Sequence, residues 1–315
     1  MPIILVQSVS SCLLLSVSDK SSYIKQVDWI DYARDIANFF IRYLPSKDSP
    51  ALPYLLPEQP ISSAEKELFK LSSMPAKQKQ PKWRGRQIIA CGHSVGGAST
   101  LQAVAVLPSL FFGLVLIDPV MDSTFSSDQI HINANLVKRL GKGALIRRDE
   151  WQDRQTAQEM MKKNKHFYGK WHPDVLKRYT EFGLKDLPNG KVGLKCERYS
   201  EAVGVFKYLP YNVLCKEQVT FIDPDVQGAR NAFSKLGILP ATLQCHFILA
   251  NASVSTIDSR GTTTEKLLMT ARNTKPTLTR LNESGHLIAQ EQPELLGNEL
   301  ANVLDRWTAD LKAKL

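Results

Sequence analysis

The sequence predicts an α/β protein: a mostly parallel sheet with helices on both faces and an inserted helical cap. Three observations carry that expectation. Short apolar runs of the kind that become buried parallel strands alternate with helical patterns toward both ends of the chain. A glycine-rich turn, Gly92 to Gly97, joins one such run to a helix-forming stretch. Between residues 122 and 215 the pattern changes to charged amphipathic helices dense in aromatic residues, among them Trp151, Phe167, Tyr168, Trp171, Tyr179 and Phe182. The expected organisation is a core formed by residues 1–121 and 216–315, with residues 122–215 inserted as the cap.

The elements follow in chain order. Apolar residues at helical spacing predict a helix over Val27–Phe40, ending near Pro45. From Pro45 to Pro81 the proline-rich and polar composition reads as a long loop, with a short helical candidate at Ala64–Leu71. Residues 87–91 predict a strand, 97–107 a helix, and 112–119 a buried parallel strand that ends in Asp118. In the cap, helices are expected over Arg148–Asn164 and Pro173–Phe182. A further parallel strand is expected at Gln244–Ala250 and a closing helix at Pro293–Leu311.

The turn is the chemically informative feature. Gly92-His93-Ser94-Val95-Gly96 has the G-x-S-x-G form, in which a serine stands on a sharp strand-to-helix turn. Small residues two before and two after the serine keep that turn free of clashes. The helix that follows aims its N-terminal N–H groups at the place where an oxyanion would form, Val95 supplying the first of them. Such a serine needs a base. His286, in Gly285-His286-Leu287-Ile288, lies ahead of the last predicted helix and is the candidate. His93 reads as packing within the turn, while His131, His166, His172 and His246 carry no motif and read as structural. For the acid two positions stay open. Asp118 ends the strand after the turn's helix and is preferred; Asp258, beyond the strand at 244–250, is the alternative.

Composition bounds the partners. The chain of 315 residues is 43% hydrophobic and 23% charged, which is ordinary for a globular protein. No run of about 18 apolar residues predicts a transmembrane segment. The N-terminal stretch Pro2–Val17 is apolar and serine-rich but lacks a preceding basic residue, which argues against a secretory signal. The net charge of +9 comes from dispersed residues without a nucleic-acid motif, so no nucleic-acid partner is expected. Cys12, Cys91, Cys196, Cys215 and Cys245 have no metal-binding spacing and read as reduced thiols in an intracellular protein. No metal or organic cofactor is implied. The terminal Ala313-Lys314-Leu315 is a variant of the S-K-L peroxisomal address, and a peroxisomal import receptor is the expected partner.

With these residues in hand, the chain resembles serine hydrolases of the α/β-hydrolase fold. More narrowly it is similar to the fungal peroxisomal lipase-like group that includes hydrolases of toxin biosynthesis. The matching stretches begin with Trp29-Ile30-Asp31-Tyr32-Ala33-Arg34-Asp35, Cys91-Gly92-His93-Ser94-Val95-Gly96-Gly97 and Leu116-Ile117-Asp118-Pro119-Val120. Arg147-Arg148-Asp149-Glu150-Trp151-Gln152-Asp153-Arg154, Trp171-His172-Pro173-Asp174-Val175-Leu176, Gly193-Leu194-Lys195-Cys196 and Gly285-His286-Leu287-Ile288 complete them. The resemblance implies a small-molecule ester, thioester or lipid-like acyl substrate and an acyl-enzyme on Ser94. It also exposes a departure. Such enzymes begin with several strands and a glycine-bearing loop that gives the second oxyanion donor, whereas the 28 residues before Trp29 contain no glycine. The expectation is an N-terminally incomplete member of the fold, with a non-catalytic scaffold as the alternative.

Overall fold

The computed structural model describes residues 3–8, 29–38, 87–121, 142–196, 198, 206–208, 222–224, 226–251 and 264–313. The loop expected between Pro45 and Pro81, with its helical candidate, lies outside them, as does Asp258.

Five parallel strands form the main sheet: β1 (Ile3–Ser8), β2 (Gln87–His93), β3 (Gly113–Ile117), β9 (Gln244–Ala250) and β10 (Thr277–Leu281), side by side in that order. Register is set by pairs such as Ser8 with Gly92, His93 with Ile117, Ile117 with Ile248 and Ala250 with Leu281. β2, β3 and β9 match the expected strands closely. β1 and β10 were not legible. Ile3-Ile4-Leu5-Val6 is a β-branched apolar run of the type that fills a parallel strand. Thr277-Leu278-Thr279-Arg280-Leu281, the far strand of the described sheet, holds only two apolar residues and breaks alternation at Arg280, so it shows no clear period.

Alternation of side chains along the strands gives the sheet two apolar faces. One face carries Ile88, Ala90, Leu114, Leu116, Phe247 and Leu249. Against it pack α1 (Trp29–Asn38), α2 (Ser94–Val106), α5 (Val226–Leu236) and α6 (Thr264–Thr270). The opposite face carries Ile89, Cys91, Val115, Ile117 and Ile248 and is covered by α7 (Ile288–Glu291) and α8 (Pro293–Ala313). Helix α2 is buried from Gly96 to Val104 between the strands, α1 and α5, which is why it carries no charged residue and is apolar apart from small polar residues and Gln102. Among the described residues no helix is long and apolar enough to cross a membrane.

Residues 150–194 build a small lobe with its own core of Trp151, Ala157, Met161, Tyr168, Leu176, Leu184, Val192 and Leu194. It contains α3 (Arg154–Lys163) and α4 (Pro173–Phe182), but also a three-stranded antiparallel sheet: β4 (Glu150–Trp151), β6 (Val192–Leu194) and β5 (Leu184–Asp186). The lobe is thus not purely helical. Its strands hold two or three residues, too few to show a period. The helix expected from Arg148 starts only at Arg154, because Glu150–Trp151 pairs with β6 and Asp153 caps α3 by accepting the Thr156 N–H at 2.7 Å. A further antiparallel pair joins β7 (Phe206–Tyr208) to β8 (Ile222–Pro224).

The cysteine expectation is corrected at one position. Cys196 is disulfide-bonded, while Cys91 and Cys245 are free and buried. Linear spacing carries no information about which thiols meet in space, so the bond could not be read from the sequence.

Under α8, His246 forms a buried polar cluster. Its Nδ1 lies 2.7 Å from Thr277 Oγ1 and its Nε2 lies 3.4 Å from the Glu299 carboxylate, which also takes Thr279 and Arg306. Burial lowers the His246 pKa to about 4, against the pull of Glu299. Between about pH 6.5 and about pH 4 the unfolded chain binds a proton that the folded chain refuses. Stability is therefore full above that window and falls as the pH drops through it, by up to about 3 kcal/mol. Urea titrations at pH 7.5 and pH 4.5 should show this loss, and His246→Gln should bring the two curves closer, leaving the gap that the equally shifted His93 contributes.

Candidate active site

The five parallel strands all end at the carboxyl edge of the sheet, and three of the candidate residues stand there. His93 ends β2 in extended conformation, and Ser94 opens α2 with φ 56°. Asp118 follows β3 directly, with φ 39°. Left-handed backbone costs a residue with a side chain about 1–3 kcal/mol and persists only where its surroundings enforce it. Among the described residues only Lys275 shares this conformation without being glycine. Two of three such residues therefore sit together at one edge.

The enforcing contacts are on the chain itself. The Val120 N–H donates to the Ser94 carbonyl at 3.1 Å, tying the two turns to each other. The Asp118 N–H donates to the Ile248 carbonyl at 2.7 Å. Gly92 and Gly97 cross so closely that a Cβ on Gly92 would lie 2.7 Å from the Gly96 oxygen. Glycine is required there by the close approach of backbone to backbone.

His286 arrives from the loop after β10, 192 residues beyond the serine. Its Nδ1 lies 2.5 Å from Asp118 Oδ2, and its Nε2 lies 2.8 Å from Ser94 Oγ. A carboxylate only accepts, so Nδ1 carries the proton and donates it. That leaves Nε2 bare to accept the Ser94 hydroxyl. The Asp118 side chain is fully buried, and its other oxygen, Oδ1, accepts the Ala250 N–H at 3.3 Å. Here β9 contributes a backbone donor to the acid of β3 at the very edge where the sequence left room for a different acid.

Helix α2 has no side chain capping its N-terminus and no acidic residue in its first turn. Within the helix its leading N–H groups, that of Val95 included, have no acceptor. β1 ends at Ser8, level with Gly92 in the neighbouring strand. The chain thus leaves β1 at the edge where Ser94 stands, and residues 9–28 lie outside the described ones.

His93 does more than pack. Its Nε2 lies 2.7 Å from the His286 carbonyl oxygen, and the two rings are 4.9 Å apart. Burial, and next the neighbouring His286, lower its pKa to about 4. The small lobe reaches the same region through the His172 N–H, which donates to the Gln290 carbonyl at 2.7 Å. Beside it, Phe167, Tyr168, Trp171 and Tyr179 form an aromatic cluster with ring centroids 4.8 to 5.8 Å apart. Among the described residues no group of three or more His, Cys, Asp or Glu could hold a metal ion.

No family model and no curated protein sequence matches the chain. Solved structures do. The peroxisomal α/β-hydrolase Lpx1 of Saccharomyces cerevisiae is 19% identical, with 90% of this chain aligned and a TM-score of 0.57. The chain spans 62% of that protein's length. An esterase of Mycobacterium tuberculosis is 17% identical over 96% of this chain and 84% of its own, with a TM-score of 0.47. The parallel sheet, the serine turn at its edge and the likeness to the yeast protein lead to one conclusion: the chain has the α/β-hydrolase fold.

Proposed function

We propose that the protein is a serine hydrolase acting on a carboxylic ester, a thioester or a lipid-like acyl substrate. The observation that carries this reading is the unbroken hydrogen-bonded line from Ser94 Oγ through His286 to Asp118. Ser94 Oγ attacks the acyl carbonyl while His286 Nε2 takes its proton. The imidazolium that forms is stabilised by the buried Asp118 carboxylate. The oxyanion is held by the Val95 N–H at the start of α2. Collapse of the tetrahedral intermediate breaks the bond to the leaving group, which receives the proton from His286. Water, deprotonated by the same nitrogen, then releases the acid and restores Ser94.

Residues 122–215 serve as the cap, and its aromatic cluster covers the apolar part of the substrate. Support comes from the separate core of residues 151–194 and from the tie between His172 and Gln290, four residues past His286. The deciding experiment is fluorophosphonate labelling of the purified full chain. Labelling is expected in the wild type and absent in Ser94→Ala and His286→Ala. A folded wild type that takes no label is a non-catalytic scaffold, and the reading fails.

The tail Ala313-Lys314-Leu315 addresses the enzyme to peroxisomes through their import receptor. A fluorescent protein fused ahead of the full chain should collect in peroxisomes, and removal of Leu315 should leave it in the cytosol. Unchanged punctate fluorescence after that deletion would overturn the address.

A further inference from the structure

His286 sits in a loop of six residues between β10 and α7, with its side chain 23% exposed. Asp118 fixes the ring through one bond to Nδ1, which leaves the backbone beneath the ring to be held by other means. The loop's own geometry shows how. On one side the Gly285 N–H donates to Glu291 Oε2 at 2.8 Å. On the other side the His286 carbonyl accepts from His93 Nε2 at 2.7 Å. The loop's base is pinned as well, by the buried Ser284 hydroxyl donating to the Leu281 carbonyl at 3.1 Å.

Each contact has a chemical requirement. A carbonyl oxygen cannot donate, so His93 must carry its proton on Nε2. Its low pKa keeps it uncharged, and a second imidazolium beside the one formed on His286 is avoided. Glu291 reaches the Gly285 N–H because position 285 is glycine; a Cβ there would lie 2.7 Å from the same carboxylate oxygen. Among the described residues these two side chains bond to the loop backbone, while the Ser94 hydroxyl bonds to His286 Nε2.

We infer that His93 and Glu291 are positioning residues: together they clamp the two peptide groups flanking Gly285-His286 and so set the imidazole against Ser94. The inference rests on the serine-hydrolase reading for its consequence in rate, but not for the clamp itself. A misplacement of about 1 Å in such a group costs on the order of 100-fold, and the clamp limits that displacement from both ends.

The test uses the full chain and four variants. His93→Phe keeps a ring and removes the donor, whereas His93→Gln keeps an N–H that can reach the carbonyl. Glu291→Leu removes the acceptor, and Glu291→Gln keeps one. With a p-nitrophenyl acyl ester, His93→Phe and Glu291→Leu are each expected to lose about 10- to 100-fold in kcat, with KM within about twofold. The two glutamine variants should recover to within about tenfold of wild type. Hydrogen exchange read over residues 282–288 should quicken in the phenylalanine and leucine variants and return toward wild type in the glutamine ones. Wild-type kcat with unchanged exchange in both disruptive variants overturns the clamp. If His93→Phe does not fold, Glu291→Leu on the half-buried α7 decides alone. If the wild type neither turns over nor takes the fluorophosphonate, the hydrolase reading fails, and the exchange pattern still decides whether the clamp exists.

Discussion

Asp118→Asn is expected to lower fluorophosphonate labelling and ester turnover by about 10³- to 10⁴-fold while leaving the fold intact. The carboxylate is fully buried and accepts two donors, His286 Nδ1–H on Oδ2 and the Ala250 N–H on Oδ1. Asparagine has one acceptor oxygen for these two donors. With that oxygen on the Ala250 N–H, its NH₂ group faces Nδ1 and the imidazole must move its proton to Nε2. A protonated Nε2 cannot accept from Ser94 Oγ, so the nucleophile loses its base although every atom remains near its place. The negative charge that offsets the imidazolium is lost at the same time. Asp258→Asn should stay within about twofold of wild type. Measuring kcat/KM for both variants, with thermal melting to confirm folding, checks the assignment. Near wild-type turnover in Asp118→Asn, with a collapse in Asp258→Asn, would move the acid to position 258.

How much of this site was legible follows from how local each signal is. Ser94 was readable because its constraint lies within five residues: glycines where the turn crosses itself, and a strand and helix on either side. Asp118 was readable as a carboxylate closing a wholly apolar strand. His286 could be picked by chain order, since its own surroundings resemble many loops. The link between Asp118 and His286 spans 168 residues, and nothing in either segment encodes it except the order of parallel strands. What was missed is non-local in the same way. His93 reads as a packing residue until the loop after β10 is laid beside it, and Glu291 is one of several acids near the last helix. β10 and the cap strands escaped because β10 breaks alternation at Arg280 and strands of two or three residues have no period. Ile3–Ser8 escaped for another reason: a four-residue apolar run is equally suited to several elements, and only its pairing with β2 decides.

The same reasoning makes Gly92 the most sensitive position in the turn. A Cβ at Gly92 would lie 2.7 Å from the Gly96 oxygen, 2.7 Å from Gly97 Cα and 2.8 Å from Thr100 Oγ1. Two of the three atoms are backbone, so no rotamer change makes room, and the turn itself must open. Gly97 is locked in return, since its own Cβ would meet the Gly92 oxygen at 2.9 Å and Pro119 at 3.1 Å. Pro119 follows Asp118, so opening the turn pushes nucleophile and acid apart together. Gly92→Ala is therefore expected to cost about 1–3 kcal/mol in stability. Its effect on labelling should be larger than that loss of fold explains, at least about 100-fold, because Ser94 Oγ moves off the His286 nitrogen. Gly143→Ala serves as the control: a Cβ there meets nothing within 4 Å. Urea unfolding and labelling rates on the two variants separate the effects. Wild-type labelling in a destabilised Gly92→Ala would mean that the turn relaxes without displacing Ser94. The left-handed backbone of Ser94 would then be held by the Val120 N–H on its carbonyl rather than by the crossing glycines.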